Sequence, residues 1–155
     1  MFRNIESGFT LIEILVTISI IGILASVLIV AVNPAHQFAK ARDAERETDL
    51  IGILSAVMQY SSEHSGALPD TDGDPDTSNF PTTATCIGTD VGCFNLAGAG
   101  DTGEEIVPVY LYEFPMDPQT GTAGNTGYTI YVDANGHLIA TATPEASEDP
   151  IVVAR

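Results

Sequence analysis

Glu13 is the one ionisable side chain in a 24-residue run, Phe9 to Val32, that reads FTLIEILVTISIIGILASVLIVAV. A carboxylate in a lipid-facing helix costs several kcal/mol unless it finds a partner, so such a residue is first read as functional. Nothing inside the run can pair with it or offers a cation. The nearest one would be a new α-amine, created by cutting the chain between Gly8 and Phe9, where the polar stretch MFRNIESG meets the apolar run. That amine would lie about one helical turn from Glu13. Pairing could then occur within one chain or between neighbouring chains.

Two further groups of residues could do chemistry. Cys86 and Cys93 are the only cysteines and enclose a short loop, Ile87 to Gly92. A disulfide fits an oxidising compartment and is the favoured reading. Its alternatives are two reduced thiols or half a metal site, which would need ligands from His36, His64 and His137, scattered along the chain. Asp70, Asp72, Asp74 and Asp76 alternate through Asp70-Thr71-Asp72-Gly73-Asp74-Pro75-Asp76. They offer the oxygen ligands that calcium, the one cofactor suggested here, prefers. The match to an EF-hand loop is incomplete, with Pro75 where glycine is expected and Pro81 at the bidentate glutamate position. A solvated acidic loop is the competing reading, and the residues alone leave both open. No catalytic constellation is visible, because the histidines are isolated and no glycine-rich phosphate loop follows a strand. The chain is therefore read as a non-enzyme.

The elements that position these groups begin with the apolar run itself. As a helix it covers roughly 36 Å, enough to cross a hydrocarbon core of about 30 Å. It is longer than the core of a secretory signal peptide, which is about 7–15 residues. The chain as a whole has 21 acidic residues against 5 Lys and Arg and a formal charge of −16, which argues against a nucleic-acid partner. Pro34 disfavours helix at Asn33, so a kink or short break is expected there. Residues 35–62 are good helix formers, with Leu50, Leu54, Val57 and Tyr60/Ser61 forming a stripe to pack on a sheet. The charged stretch Lys40 to Asp49 reads as a solvated connector. Ser19, Gly22 and Ser26 put small groups on one side of the first helix, which permits close helix–helix approach.

Gly8-Phe9-Thr10-Leu11-Ile12-Glu13, followed by a long apolar helix, resembles the prepilin processing signature of type IV pilins and type II secretion pseudopilins. The resemblance covers roughly the first 30 residues. It implies cleavage after Gly8 by a membrane prepilin peptidase and N-methylation of Phe9. It also implies contact between Glu13 and the Phe9 amine of a neighbouring subunit during assembly. The sequence departs from many relatives in having Ser7 beside the cleavage glycine. Lys40, Arg42 and Arg46 after the span would by simple count place the C-terminal side in the cytoplasm. The signature and the cysteine pair override that count and put the head outside.

Residues 66–155 read as a small β-rich head. The expected strands are Tyr128–Asp133 and His137–Thr143, joined by Ala134-Asn135-Gly136, with a third at Ile106–Leu111. The expected fold is α+β, a long membrane-spanning helix packed on a small antiparallel sheet, as in pilins. The expected organisation is a leader at 1–8, a transmembrane and assembly helix at 9–33, its continuation at 34–65, and the head at 66–155. The implied function is a structural subunit of a pilus or pseudopilus filament. Its partners would be prepilin peptidase, other copies of itself or related subunits, an inner-membrane assembly platform, and the membrane. It would span the inner or cytoplasmic membrane once before assembly and be extracellular afterwards. The alternative is a membrane-anchored extracytoplasmic module, calcium-binding or not, that never polymerises.

Overall fold

The computed structural model describes residues 8–73 and 78–155, and the fold is α+β. Helix α1 spans Leu11–Val32 and α2 spans Pro34–Glu63. A four-stranded antiparallel sheet follows, formed by β1 (Thr85–Cys86), β2 (Tyr128–Val132), β3 (Leu138–Ala142) and β4 (Ile151–Ala154), in the order β1-β2-β3-β4. The chain divides into two compact units, the first ending at Phe38 and the second running from Ala39 to Arg155.

In the first unit, α1 is apolar on every face and none of its residues is buried. It is long and apolar enough to cross a membrane. Its hydroxyl side chains turn back onto the helix: Thr17 donates to the Glu13 carbonyl, Ser19 to Leu15 and Ser26 to Ile23, at 2.6, 2.7 and 2.8 Å. No hydroxyl then needs a partner from a surrounding apolar phase, where an unmet donor is costly. Asn33 ends α1 in the left-handed region at φ 46°, a conformation that asparagine tolerates better than most residues. Its carbonyl accepts from the N–H of His36 and of Gln37, and Pro34, with no N–H to lose, opens α2.

In the second unit, Leu50, Ile53, Leu54, Val57 and Tyr60 recur at helical spacing and are buried. They share one core with Tyr128, Ile130 and Ala140 of the sheet and with Phe80, Phe94, Leu96 and Ile106 of the loops. The alternation of strands β2 and β3 supplies the inward set, since residues two apart share a face. Tyr128 is fully buried, and its hydroxyl donates to Asp49 on α2 at 2.7 Å, fixing helix against sheet. The β2–β3 connection is closed by Asp133, whose N–H donates to the His137 carbonyl and whose carboxylate accepts the N–H groups of Asn135 and His137.

The structure corrects two expectations about the head. Ile106–Leu111 is not a strand. Ile106–Tyr110 wraps into a single wide turn closed by the Leu111 N–H on the Ile106 carbonyl at 2.9 Å. Pro108 lies in its middle and has no N–H to give a ladder, which disfavours pairing there. The sheet has four strands rather than three, because Thr85–Cys86 pairs with β2 and Ile151–Ala154 with β3.

Candidate functional site

Gly8 and Phe9 are exposed and precede the helix, and Thr10 is the N-cap of α1. Thr10 Oγ1 accepts the Glu13 N–H at 3.3 Å, and a Glu13 carboxylate oxygen accepts the Thr10 N–H at 3.4 Å. This reciprocal capping box satisfies two backbone donors that the start of a helix leaves without partners. The expectation that Glu13 finds no partner within its own run is therefore corrected. Its carboxylate is held at the helix entrance, where the positive end of the helix dipole favours an anion. The signal was present in the sequence as Thr-x-x-Glu ahead of an apolar run.

The stretch Lys40–Asp49, expected to be solvated, contains the most buried charge among the described residues. Arg46 is 3% exposed, and its Nε donates to Asp117 Oδ2 at 2.5 Å. Its Nη1 donates to Asp43 Oδ1 at 2.7 Å. Asp117 Oδ1 accepts the backbone N–H groups of Gln119 and Thr120 and the Thr120 hydroxyl. Burial alone would raise the pKa of Asp117, but the guanidinium and these N–H donors outweigh it and hold the carboxyl well below the usual carboxylate range. The same aspartate, through its hydrogen bond, drives Arg46 still further above its ordinary value. Gly127, at φ 84°, passes so close that an added Cβ would meet the Asp117 side chain at 2.7 Å. Asp43 extends the network by accepting the N–H groups of Glu145 and Ala146, both at 2.8 Å, and Arg42 clamps the Glu145 carboxylate with two donors. Helix α2 is thereby tied to the loops on both sides of the β2–β3 hairpin.

Cys86 and Cys93 are joined by a disulfide. The loop between them is anchored at its base, where the Phe94 N–H donates to the Cys86 carbonyl at 2.7 Å. In the acidic segment, the Asp70 carboxylate accepts the Gly73 N–H at 3.3 Å, and the Asp70 carbonyl accepts from Gly100 at 2.8 Å. Asn79 closes the loop on Thr71 through two hydrogen bonds. Asp72 is exposed, and Asp74 and Asp76 lie outside the described residues, so the four carboxylates are not described as one group.

Residues 3–29 match the family model of the prokaryotic N-terminal methylation motif. The chain is 41% identical over 64 residues to a type IV major pilin protein, PilE1, of Neisseria gonorrhoeae, across 40% of this chain and 36% of the relative. It is 42% identical over 64 residues to a fimbrial protein of Neisseria meningitidis serogroup B, covering 40% of this chain and 35% of that one. The matched part thus spans about a third of the length of these curated relatives. No solved structure gives a significant match. The matched family model begins ahead of Gly8-Phe9 and ends within α1, so the likeness to type IV pilins rests on this N-terminal segment.

Proposed function

We propose that this chain is a structural subunit of a type IV pilus or a related pseudopilus, and not an enzyme. In this reading a prepilin peptidase cuts after Gly8, Phe9 becomes the N-methylated first residue, and the subunit waits in the cytoplasmic or inner membrane with its head outside. An assembly platform then extracts it and packs it beside other copies or related subunits. The observation that carries the reading is α1: 22 residues, apolar on every face, none of them buried, and lying largely within the match to the methylation motif. Such a surface needs lipid before assembly and neighbouring helices afterwards, since water would leave it uncovered. The second unit has its own core, disulfide and charge network.

Glu13 has two roles in this proposal. Within one chain it caps α1, as its hydrogen bond to Thr10 supports. In the filament its charge is met by the Phe9 amine of a neighbour, so that a subunit out of register buries an uncompensated carboxylate. The test is intact-mass analysis of protein from cells that express the peptidase, with fractionation of sheared surface material. Loss of Met1–Gly8, one added methyl group and recovery in sheared filaments are expected. A processed protein that stays wholly in the membrane would favour an anchored module that does not polymerise, and retention of the leader would defeat the prepilin reading.

A further inference from the structure

The C-terminal end of α2 carries a cluster that the pilin reading does not use. The His64 ring follows the last helical residue, is half-buried, and stacks on the Tyr60 ring at 3.9 Å with an interplanar angle of 8°. Its Nδ1 lies 2.8 Å from the Tyr60 carbonyl oxygen, an atom that can only accept, so Nδ1 carries the proton in that bond. In the neutral ring Nε2 is then a bare lone pair. It faces two carboxylates, at 2.8 Å from Glu104 Oε2 and 3.6 Å from Asp101 Oδ2. The 2.8 Å separation from Glu104 is that of a hydrogen bond or of two ligands on one ion, and both need a positive charge there: a proton on Nε2 or a metal ion.

Three features favour a cation at this point. The carbonyl end of α2 presents the negative end of its dipole. No Lys or Arg occurs between Arg46 and Arg155 to supply the charge from the chain itself. The donors are also arranged as metal ligands are. A backbone carbonyl holds the far ring nitrogen, fixing tautomer and orientation as in histidine–metal sites generally. The two carboxylates sit on one turn, closed by the Glu104 N–H on the Asp101 carbonyl at 2.8 Å. Gly100 lets that turn approach the helix, since an added Cβ would lie 2.9 Å from the Tyr60 ring and 2.8 Å from the Glu104 carbonyl oxygen. All three ligand atoms fall within 4.8 Å of one another. A tetrahedral ion about 2.1 Å from each would hold them about 3.4 Å apart. The two distances to Nε2 straddle that spacing, and the exposed carboxylates are free to adjust around the fixed imidazole.

We propose that His64, Asp101 and Glu104 form a binding site for a divalent transition-metal ion of the zinc class on the head. One nitrogen with two carboxylate oxygens suits zinc, cobalt or nickel better than calcium or magnesium, which take oxygen ligands throughout. The open fourth position leaves room for water or for a ligand from another molecule. The site belongs to the second unit alone and holds whether or not the chain polymerises.

The test uses the full chain in detergent micelles, stripped by chelator and titrated with zinc alone or cobalt alone. One zinc per chain with micromolar affinity is expected, along with a cobalt absorption spectrum of low coordination number. His64→Gln and Glu104→Gln should each weaken zinc at least tenfold, whereas Asp72→Asn in the acidic loop should leave it unchanged. Glu104 is exposed, so Glu104→Gln keeps the test decisive if His64→Gln fails to fold. X-ray absorption of the zinc-loaded parent should show one imidazole nitrogen. The proposal is overturned if zinc binds the parent and Glu104→Gln equally, if its shell holds oxygen alone, or if the parent takes up no zinc. The positive charge at Nε2 is then a proton.

Discussion

Arg46 on helix α2 and Asp117, 71 residues later in the loop before β2, form a 2.5 Å ion pair with both side chains almost wholly buried. The pair is unequal in its supports. Asp117 keeps three other donors, two backbone N–H groups and the Thr120 hydroxyl, whereas Arg46 is left with Asp43 and, at 3.8 Å, Glu145. Asp117→Ala should therefore leave the Nε of a buried cation without its acceptor and cost about 3–5 kcal/mol, the range for breaking a buried pair. Arg46→Met should cost less, since the aspartate stays hydrogen-bonded and a methionine fills part of the space. Urea unfolding of both variants measures the difference. Equal losses would mean that the backbone donors do little for Asp117.

The same aspartate sets a pH dependence. Its pKa in the folded chain lies below its unfolded value, so its contribution is fully present above the unfolded pKa, about 4. It is lost as pH falls further, through the folded value. The melting temperature should hold level down to about pH 5 on this account and drop below about pH 4. Asp117→Asn should flatten part of that drop. An unchanged acid slope in the variant would assign the drop to other carboxylates.

The disulfide gives a separate test. Cys86 and Cys93 are seven residues apart, and a closed loop of that size restricts the unfolded chain by about 2–3 kcal/mol. Cys86→Ser with Cys93→Ser should lower stability by that amount and leave the β1–β2 pairing intact. Thiol labelling of exported protein should find both sulfurs blocked until reductant is added.

How legible all this was in the sequence depended on the range of the interactions involved. The span, the helical stripe of Leu50, Leu54 and Val57, and the hairpin around Asn135-Gly136 are set by residues a few positions apart, and local pattern reveals such elements. Strand β1 is two residues long and exists only because β2 lies beside it, so nothing local announces it. Arg46 looked solvated because its partner Asp117 lies in a distant proline-rich loop. His64 looked isolated because Asp101 and Glu104 reach it only when the turn from Gly100 folds against the end of α2. At Ile106–Tyr110 apolar composition suggests a strand, and the missing N–H of Pro108 is the contrary sign. Glu13 is legible in the same local way, since Thr-x-x-Glu ahead of an apolar run is the pattern of a capping box.

The last prediction separates the two roles of Glu13. Its carboxylate accepts the Thr10 N–H, which needs an oxygen but no charge, whereas pairing with a neighbour's Phe9 amine needs the charge. Glu13→Gln keeps an oxygen for the cap and removes the charge, and Glu13→Ala removes both. Thr10→Ala removes the other half of the capping box and leaves the charge in place. Loss of an N-cap side chain costs about 0.5–2 kcal/mol, a modest penalty for a 22-residue helix held by lipid or neighbours. If charge registers the subunits, Glu13→Gln and Glu13→Ala should insert into the membrane at least as well as the parent and lose most sheared filament. Thr10→Ala should then assemble at close to the parent level. The measurement is the ratio of membrane-bound monomer to filament for all three variants. Normal filament yield from Glu13→Gln, with a defect shared by Glu13→Ala and Thr10→Ala, would show instead that Glu13 serves the helix end and not the neighbouring subunit.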